Sequence, residues 1–332
     1  MKHILRLRAF IRPYWGQILL NLFFLFALTG LGLVIPRIIQ HVVDDGLLRG
    51  AVESLLGSAL ILLVIGLLTA GLNMALRYNS ERVAAFIGYD LRNKMYDHIQ
   101  YLPFTYHDHA QTGQLITRCI EDVRAIQNFA GSSIIEIAQM TVLAVGVVAI
   151  LVSSNPLLAV IALLPLVPMF IITFNFGERV TKLFYQVDNA LGDLSALLQE
   201  NVSGVQVVRA FAREPYEISR FDERNRGYFN ARLTLIGEWS KVMPTTQLLV
   251  TLGTILILYF GGQMVLRGEM SVGEIVAFNA YLLMLSAPVQ QLTWLVNQAG
   301  EASAGAQRVL EVLDHAPEIQ SPPNAVILPP LS

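Results

Sequence analysis

The sequence predicts an all-α integral membrane protein, and its composition and the grouping of its apolar residues both support this class. Of the 332 residues, 54% are hydrophobic and only 14% are charged, whereas a soluble domain carries about 25% charged residues. The apolar residues form six stretches, each near the length of ~20 residues that a helix needs to cross about 30 Å of hydrocarbon. The six predicted spans are residues 17–36, 55–76, 137–152, 157–176, 243–265 and 275–295.

The first span follows basic residues, as the apolar part of a signal peptide does. Its apolar run is longer than that of a signal, it ends at Pro36-Arg37, and no small-residue cleavage site follows. We therefore interpret residues 17–36 as a retained membrane span.

Two pairs of spans are joined by short turns. Spans three and four are separated only by Ser153-Ser154-Asn155-Pro156, which are residues that favour turns. Residues 266–271 join spans five and six in the same way. Each pair is therefore predicted to form a helical hairpin.

Lysine and arginine residues predict the orientation in the membrane, because positively charged loops stay on the cytoplasmic side. Of the 23 lysine and arginine residues, 20 lie in the N-terminal segment, the C-terminal tail and the two long segments after spans two and four. The other three, Arg37, Arg49 and Arg267, lie in the alternate loops. Both termini and both long segments are therefore predicted to be cytoplasmic. The net charge of −2 gives no indication of a nucleic-acid partner.

The two long cytoplasmic segments are predicted to be helical, because structureless loops of such length are uncommon. After span two, apolar residues recur at the helical period of three to four residues. This stripe consists of Val83, Ile87, Leu91, Met95, Ile99 and Leu102. A single helix from Leu55 to Tyr101 is therefore expected, roughly 70 Å long at 1.5 Å per residue.

Each long segment is predicted to be a tall helical hairpin with a small structured tip. The chain is expected to turn at Leu102-Pro103, to break at Ser203-Gly204 and to begin a new helix near Pro215, since proline suits the first helical turn. We name residues 104–113 tip 1 and residues 204–214 tip 2. The tips are either solvated turns with no partner or docking elements, and their height above the bilayer favours docking. In tip 1, Gly113 is expected to sit in a turn that needs glycine's backbone freedom.

Three sequence segments resemble the transmembrane domain of an ABC exporter, of the multidrug or lipid half-transporter type, and the resemblance extends over nearly the whole chain. The family repeatedly shows a Leu-Pro, an aromatic residue, a Gly-x-Leu, and then an arginine and an aspartate at the spacing found around tip 1. Similar matches occur at tip 2 and in the segment that ends the sixth helix. The matching segments are Leu102-Pro103-Phe104 with Thr112-Gly113-Gln114-Leu115, Arg118 and Asp122; Gly204-Val205-Gln206-Val207-Val208-Arg209-Ala210-Phe211 with Glu214; and Ala306-Gln307-Arg308-Val309-Leu310-Glu311-Val312-Leu313-Asp314.

This resemblance implies the type-1 exporter fold, in which six long helices extend into the cytoplasm and two halves form a domain-swapped homo- or heterodimer. It also implies that each tip holds a coupling helix that docks on an ATP-binding domain, and that the translocation path alternates between inward- and outward-facing states. The implied partners are a second half-transporter, nucleotide-binding domains, the bilayer and a hydrophobic or amphiphilic substrate. The implied coupling residues are Phe104, Thr112, Gly113, Leu115, Arg118 and Asp122 in and after tip 1, and Gly204, Val207, Val208, Arg209, Phe211 and Glu214 in tip 2.

The sequence lacks the phosphate-binding pattern G-x-x-x-x-G-K-[ST]. The chain alone is therefore predicted to be neither an enzyme nor a cofactor-binding protein, whereas the complete half-transporter is expected to be an ATP-hydrolysing translocase that uses ATP and Mg. Residues 1–315 are assigned to the six-helix domain and 316–332 to a linker. A truncated chain is favoured over a natural subunit with a separate ATPase. The expected location is the bacterial inner membrane.

Candidate substrate-path residues are the polar or aromatic side chains within or flanking the spans, although most such amides serve helix–helix hydrogen bonds. Arg118 and Asp122 lie one helical turn apart, so they either form an ordinary intrahelical pair or orient tip 1. Asp108 between two histidines is predicted to be a solvated turn and not a metal site. The substrate-path candidates are Gln139, Gln247, Asn279, Gln290, Trp294 and Asn297.

Two rival classes remain open at this point. A secondary transporter or channel favours charged residues at mid-membrane, and none of the six predicted spans has one in its middle. A scaffold or receptor with a helical cytoplasmic stalk is the other alternative. The exporter interpretation is preferred because three family-like segments occur in order within one topology.

Overall fold

The computed structural model describes residues 6, 10, 12–48, 50–109 and 112–315, except the side chains of residues 109, 178, 287, 289, 290, 292, 293, 296 and 297. All regular secondary structure in these ranges is helical, as the sequence predicted. The predicted linker 316–332 and residues 110–111 of tip 1 lie outside the described residues. The helices are α1 Arg12–Leu47, α2 Val52–Gln100, α3 Phe104–His109, α4 Thr112–Ser154, α5 Pro156–Ser203, α6 Val205–Ala210, α7 Glu214–Leu266 and α8 Val272–Leu313.

Five of the described helices, α1, α2, α4, α5 and α7, are long and apolar enough to cross a membrane. In α8 the shorter section Val272–Ser286 is apolar. Each predicted span therefore falls within a helix, and the all-α membrane class is confirmed. Helix α2 confirms the long uninterrupted helix that the apolar stripe predicted, since it has 49 residues and measures about 73 Å.

The two short turns predicted between spans are confirmed, and local hydrogen bonds explain both of them. Asn155 ends the first turn by accepting a hydrogen bond from the backbone N–H of Leu158 at 3.0 Å, and Pro156 occupies the first turn of α5. At the second turn, Ser271 and Glu274 form a reciprocal capping box at the start of α8, with N–O distances of 2.9 and 3.0 Å.

Asp44 at the end of α1 reinforces the start of α8. Its carboxylate accepts hydrogen bonds from the Ser271 hydroxyl at 2.6 Å and from the Gly273 backbone N–H at 2.8 Å. A carboxylate at a helix N-terminus satisfies free N–H groups and complements the helix dipole. The approach is so close that a Cβ on Gly273 would lie 2.5 Å from both the Asp44 Oδ2 and the Gln40 carbonyl oxygen.

Gly273→Ala is therefore expected to destabilise the protein, because the added methyl group collides with backbone as well as with a carboxylate. Overpacking of this kind costs about 1–3 kcal/mol, which should appear as a lower melting temperature in detergent. Gly262→Ala is the control, since a Cβ at that helical glycine meets nothing within 4 Å. An equal melting temperature for the two variants would contradict this interpretation of the Asp44 contact.

The chain divides into two compact units, each with its own core. Unit 1 comprises residues 1–32, 63–142 and 297–332 as far as they are described, and unit 2 comprises 33–62 and 143–296. In unit 1, α2, α4 and the end of α8 share a core of buried apolar side chains. They include Leu91, Met95, Val123, Ile126, Ala306, Val309 and Val312. Tyr14 is bound to this unit by a 2.6 Å hydrogen bond to Asp90, which raises the pKa of Tyr14 to about 12.

Unit 2 has two separate clusters of buried side chains. The first joins α4, α5, α7 and α8 around Leu158, Ile257 and Tyr281, and the Tyr281 hydroxyl donates to the Leu33 carbonyl oxygen at 2.7 Å. The second joins α5 to α7 in the long hairpin that carries tip 2, where Phe176 packs edge-on against Trp239 at 4.9 Å between ring centroids. Packing between α5 and α7 therefore holds the part of this hairpin that adjoins the predicted spans.

Candidate functional site

Tip 1 contains the six-residue helix α3, which lies between α2 and α4 as the sequence predicted. Phe104 begins this helix with 87% of its side chain exposed. Tyr106 contacts the ring of His315 just beyond α8, with ring centroids 4.9 Å apart. The His107 ring nitrogen lies 3.2 Å from the Ile99 carbonyl oxygen. Tip 1 thus presents an apolar ring to solvent while its other aromatic ring rests on the end of α8.

The expectation for the backbone of Gly113 was wrong. Thr112 and Gly113 form the exposed first turn of α4, and Gly113 is in right-handed helical conformation, not in a turn. A Cβ added at this glycine meets nothing within 4 Å. Neither the backbone conformation nor the surrounding space therefore requires glycine at this position. Gly113 remains a candidate coupling residue only because of its place in tip 1.

Tip 2 contains the six-residue helix α6 between α5 and α7. Gly204 ends α5, and its N–H donates to the Glu200 carbonyl oxygen at 2.8 Å. Phe211, immediately after α6, is 75% exposed, and Val207 within it is 61% exposed. Val208 is half-buried, whereas Arg209 and Glu214 are exposed. Both tips therefore contain one short helix with an exposed phenylalanine at one end of it.

Helix α6 ends in a left-handed turn at Ala212, which has φ of 52°. The backbone N–H of Arg213 donates to the Val208 carbonyl oxygen at 2.9 Å, and that of Ala212 donates to Arg209 at 3.1 Å. This pairing is the Schellman arrangement, whose left-handed position usually holds glycine because a Cβ is unfavourable there.

Ala212→Gly is expected to stabilise tip 2 by about 1 kcal/mol, because it removes the clash of a Cβ in left-handed backbone. Hydrogen exchange of the Arg213 amide, whose bond closes the turn, measures the effect locally. Ala210→Gly is the control, since this alanine lies within α6 and the same change there removes a good helix former. Slower exchange in the first variant and faster exchange in the second are expected. Equal exchange rates would contradict this assignment of strain.

An ion pair joins the base of tip 1 to α8. The Asp122 carboxylate is buried, with 5% of the residue exposed, and it accepts two hydrogen bonds from Arg308, at 2.8 Å from Nε and 2.6 Å from a terminal nitrogen. This bidentate hydrogen bond to Asp122 raises the pKa of Arg308. Arg118 lies 3.7 Å from Glu311, one turn further along α8. The intrahelical Arg118–Asp122 pairing considered from the sequence is therefore wrong, because both side chains pair with α8.

A local change in helix geometry accompanies these pairs. Residues Arg118–Asp122 form a π-helical turn within α4, and such turns occur frequently at functional sites. Leu115 and Cys119 pack against the core of unit 1. Gly305 of α8 lies so close to this turn that a Cβ would be 3.0 Å from the Asp122 carbonyl oxygen.

Further contacts hold the end of α8 to unit 1. His98 has a ring nitrogen 2.8 Å from the His315 carbonyl oxygen, and Arg6 forms an ion pair with Asp314 at 2.8 Å. The latter pair is about half exposed on both sides, so its contribution to stability is small. The sequence did not identify these contacts as part of a site. The one sequence feature that pointed to this region was the family-like segment that contains Arg308 and Asp314.

The substrate-path candidates fall in different surroundings. Gln139 lines a cavity of about 550 Å³ in unit 1. In unit 2, Gln247 and Trp294 are exposed, whereas Asn279 accepts a hydrogen bond from the Thr254 hydroxyl at 2.8 Å and so joins α8 to α7. The side chains of Gln290 and Asn297 lie outside the described residues. Of the described candidates, Asn279 has an evident structural role.

The chain belongs to the ABC transporter transmembrane region family, whose pattern matches residues 18–289. The match covers the helices from α1 to the apolar part of α8, including both tips. It agrees with the resemblance that the three sequence segments indicated.

Among its relatives are two uncharacterized ABC transporter ATP-binding proteins of Bacillus subtilis. YknU is 26% identical over 328 residues, which are 98% of this chain and 56% of YknU. YfiC is 29% identical over 302 residues, which are 90% of this chain and 49% of YfiC. The ATP-dependent lipid A-core flippase of Syntrophus aciditrophicus is 29% identical over 300 residues, 89% of this chain and 49% of the flippase. The chain spans about half the length of the curated relatives it matches.

Proposed function

We propose that this chain is the membrane domain of an ATP-driven exporter and that it transmits the energy of ATP binding through tips 1 and 2. The observation that carries this proposal is the repeated design of the tips. Each is a six-residue helix between two long helices, and each has an exposed phenylalanine, Phe104 or Phe211. Burying one such ring in a partner contributes about 1.5–3 kcal/mol, which supports a docking role over that of a solvated turn.

The contacts of tip 1 suit the transmission of force. Asp122 and Arg308 form a bidentate pair at its base, and Tyr106 rests on His315. A displacement of α3 is therefore passed on to α4 and to the end of α8 together. Only contacts that differ between two states can drive a conformational change, so in this proposal ATP binding supplies that difference and the tips pass it on to the membrane helices.

The complete transporter in this proposal is a domain-swapped dimer with six spans in each half. Within each half, residues 1–315 form the membrane domain and residues 316–332 form the linker. Nucleotide-binding domains supply ATP and Mg, and the substrate is hydrophobic or amphiphilic. Both termini face the cytoplasm of a bacterial inner membrane. The relatives, which include ABC transporter ATP-binding proteins and an ATP-dependent lipid A-core flippase, support this assignment.

A secondary transporter is the weaker alternative. Its membrane helices are expected to be interrupted and charged near mid-membrane, whereas the six predicted spans here have no charged residue in their middle.

Cross-linking tests the docking of the tips in the full-length protein with its nucleotide-binding domains. Cys119 is first replaced by Ser, which removes the single cysteine of this chain. Phe104→Cys and Phe211→Cys are then each expected to cross-link to a cysteine in a nucleotide-binding domain. Phe229→Cys is the matched control on the exposed face of α7 away from the tip. Cross-linking at position 229 but at neither tip would contradict the proposal.

Labelling of cysteines in intact cells is expected to match the orientation predicted from the distribution of lysine and arginine residues. Leu48→Cys and Glu269→Cys, which are exposed beside the short loops, should react with an impermeant thiol reagent from outside. Thr112→Cys in tip 1 and Val202→Cys just before tip 2 should react only after the cells are permeabilised. Reaction of the tip cysteines in intact cells would contradict the proposed orientation.

A further inference from the structure

Unit 1 contains a cavity of about 550 Å³ between α2 and α4. Small-molecule sites typically occupy about 300–1,000 Å³, so this cavity has room for a substantial polar group. Its lining carries charges of both signs. Arg77 and Glu81 come from α2, and Glu136 comes from α4, one turn before Gln139.

These charges have no partners among the described residues of the chain. Arg77 and Glu81 are four residues apart on one helix, a spacing that permits an ion pair, yet neither they nor Glu136 forms an ion pair there. Glu136 is half-buried, and a partly desolvated charge interacts more strongly with a bound charge than a fully exposed one does. The cavity thus holds one free guanidinium group and two free carboxylates.

An apolar cleft of about 80 Å³ adjoins the cavity, and the two share Ser80 and Ile135. Leu25, Val83 and Ile134 are among the side chains that line the cleft. Since about 10–15 Å³ of such space admits one water-sized group, the cleft accepts the first few atoms of an apolar chain. The charged cavity and the apolar cleft both lie near the predicted cytoplasmic ends of spans two and three.

We propose that this cavity binds the head of a zwitterionic amphiphile, a molecule that carries a cationic and an anionic group beside an apolar chain. Arg77 faces the anionic group, Glu81 and Glu136 face the cationic group, and the apolar chain begins in the adjoining cleft. The proposal rests on the proposed function, because it names the substrate class of the exporter. A purely anionic head meets two carboxylates against one guanidinium group, and a purely cationic head leaves Arg77 without a partner.

Three probes with the same twelve-carbon chain separate these cases. They are a dodecyl sulfobetaine, dodecyltrimethylammonium and dodecyl sulfate, and their binding is measured by calorimetry on the full-length protein in nanodiscs. The expected order of affinity is sulfobetaine, then the cation, then the anion. Partitioning into the bilayer is common to wild type and variants, so the difference between them reports the site.

Two variants assign the charges. Arg77→Gln should remove the preference for the sulfobetaine over the cation. Glu136→Gln should weaken the binding of both the sulfobetaine and the cation by about five- to tenfold, where a tenfold change in affinity corresponds to about 1.4 kcal/mol. Glu223→Gln on the exposed surface of α7 is the matched control and should change neither affinity. The proposal is overturned if the anion binds wild type most tightly, or if Glu136→Gln and Glu223→Gln bind the sulfobetaine alike. Unchanged melting temperatures exclude a loss of folding as the cause.

Transport is measured separately, so that this proposal and the proposed function can fail independently. One outcome is uptake of the sulfobetaine into inverted vesicles that is ATP-dependent in the wild type and unchanged in both Arg77→Gln and Glu136→Gln. That result overturns the cavity assignment and supports the exporter. Charge-dependent binding without any ATP-dependent uptake overturns the exporter and supports the cavity assignment.

Discussion

Replacing Arg308 by Met is expected to destabilise unit 1 by about 3 kcal/mol, because it leaves the Asp122 carboxylate buried without its partner. Asp122 is 5% exposed and receives both of its charge-assisted hydrogen bonds from this guanidinium group. A buried charge that loses its partner is among the few mechanisms that produce large destabilisation from one substitution. The neighbouring pair of Arg118 and Glu311 is longer, at 3.7 Å, and does not replace the lost bonds.

The protein's single cysteine provides the measurement. Cys119 packs against the core of unit 1 close to Asp122, and burial raises the pKa of its thiol. A dye that becomes fluorescent on reaction with thiols therefore reports when this core opens on heating. Arg6→Met is the control, because it breaks an ion pair that is about half exposed and contributes little.

A second variant distinguishes the lost pairing from lost packing. Asp122→Leu combined with Arg308→Met removes both charges, and replacing a buried ion pair by apolar residues is often neutral or stabilising. The double variant should therefore melt well above Arg308→Met. Equal melting temperatures for Arg308→Met and Arg6→Met would show that the Asp122 pair contributes no more than a surface contact.

Replacing Phe104 or Phe211 by Ala in the complete transporter is expected to abolish most transport while ATP binding stays near normal. Each ring is largely exposed in this chain, so its removal costs the isolated membrane domain little. A central aromatic anchor in a docked interface contributes about 2 kcal/mol or more, which is enough to weaken the joint. Substrate-stimulated ATPase activity and vesicle uptake, measured side by side, should both fall.

Two controls apply to this experiment. Phe229→Ala removes an exposed ring, at 58% exposure, from α7 outside the tip, and Gly113→Ala adds a methyl group where the structure has open space. Both should transport at the wild-type rate. Wild-type transport by both the Phe104 and the Phe211 variants would mean that the tips are bystanders.

Much of the fold follows from local sequence patterns. The recurrence of Val83, Ile87, Leu91 and Met95 at steps of four predicted α2 to within three residues at its start and one at its end, and all four side chains are buried. Proline and glycine predicted the ends of the long hairpins and hence the position of both tips. Each of these signals depends only on residues that are near one another in the chain.

The contacts at the base of tip 1 could not be predicted in this way. Asp122 and Arg308 are 186 positions apart, and the i,i+4 spacing of Arg118 and Asp122 pointed to a different pairing. No pattern in the neighbouring sequence predicts the π-helical turn that contains Arg118 and Asp122. Its geometry accompanies the close approach of Gly305 to the Asp122 backbone, which is a tertiary contact.

Helix α4 contains two π-helical turns, at Arg118–Asp122 and at Phe129–Ser133. A π turn closes its hydrogen bond one residue further along than an α turn, so each stores one surplus residue within a continuous helix. Loss of a residue between 129 and 133 can be absorbed by conversion to a regular α turn. The same loss between 140 and 150 would rotate every later side chain by about 100°. A change of one residue at this turn therefore leaves unaltered which faces of α4 meet their neighbours.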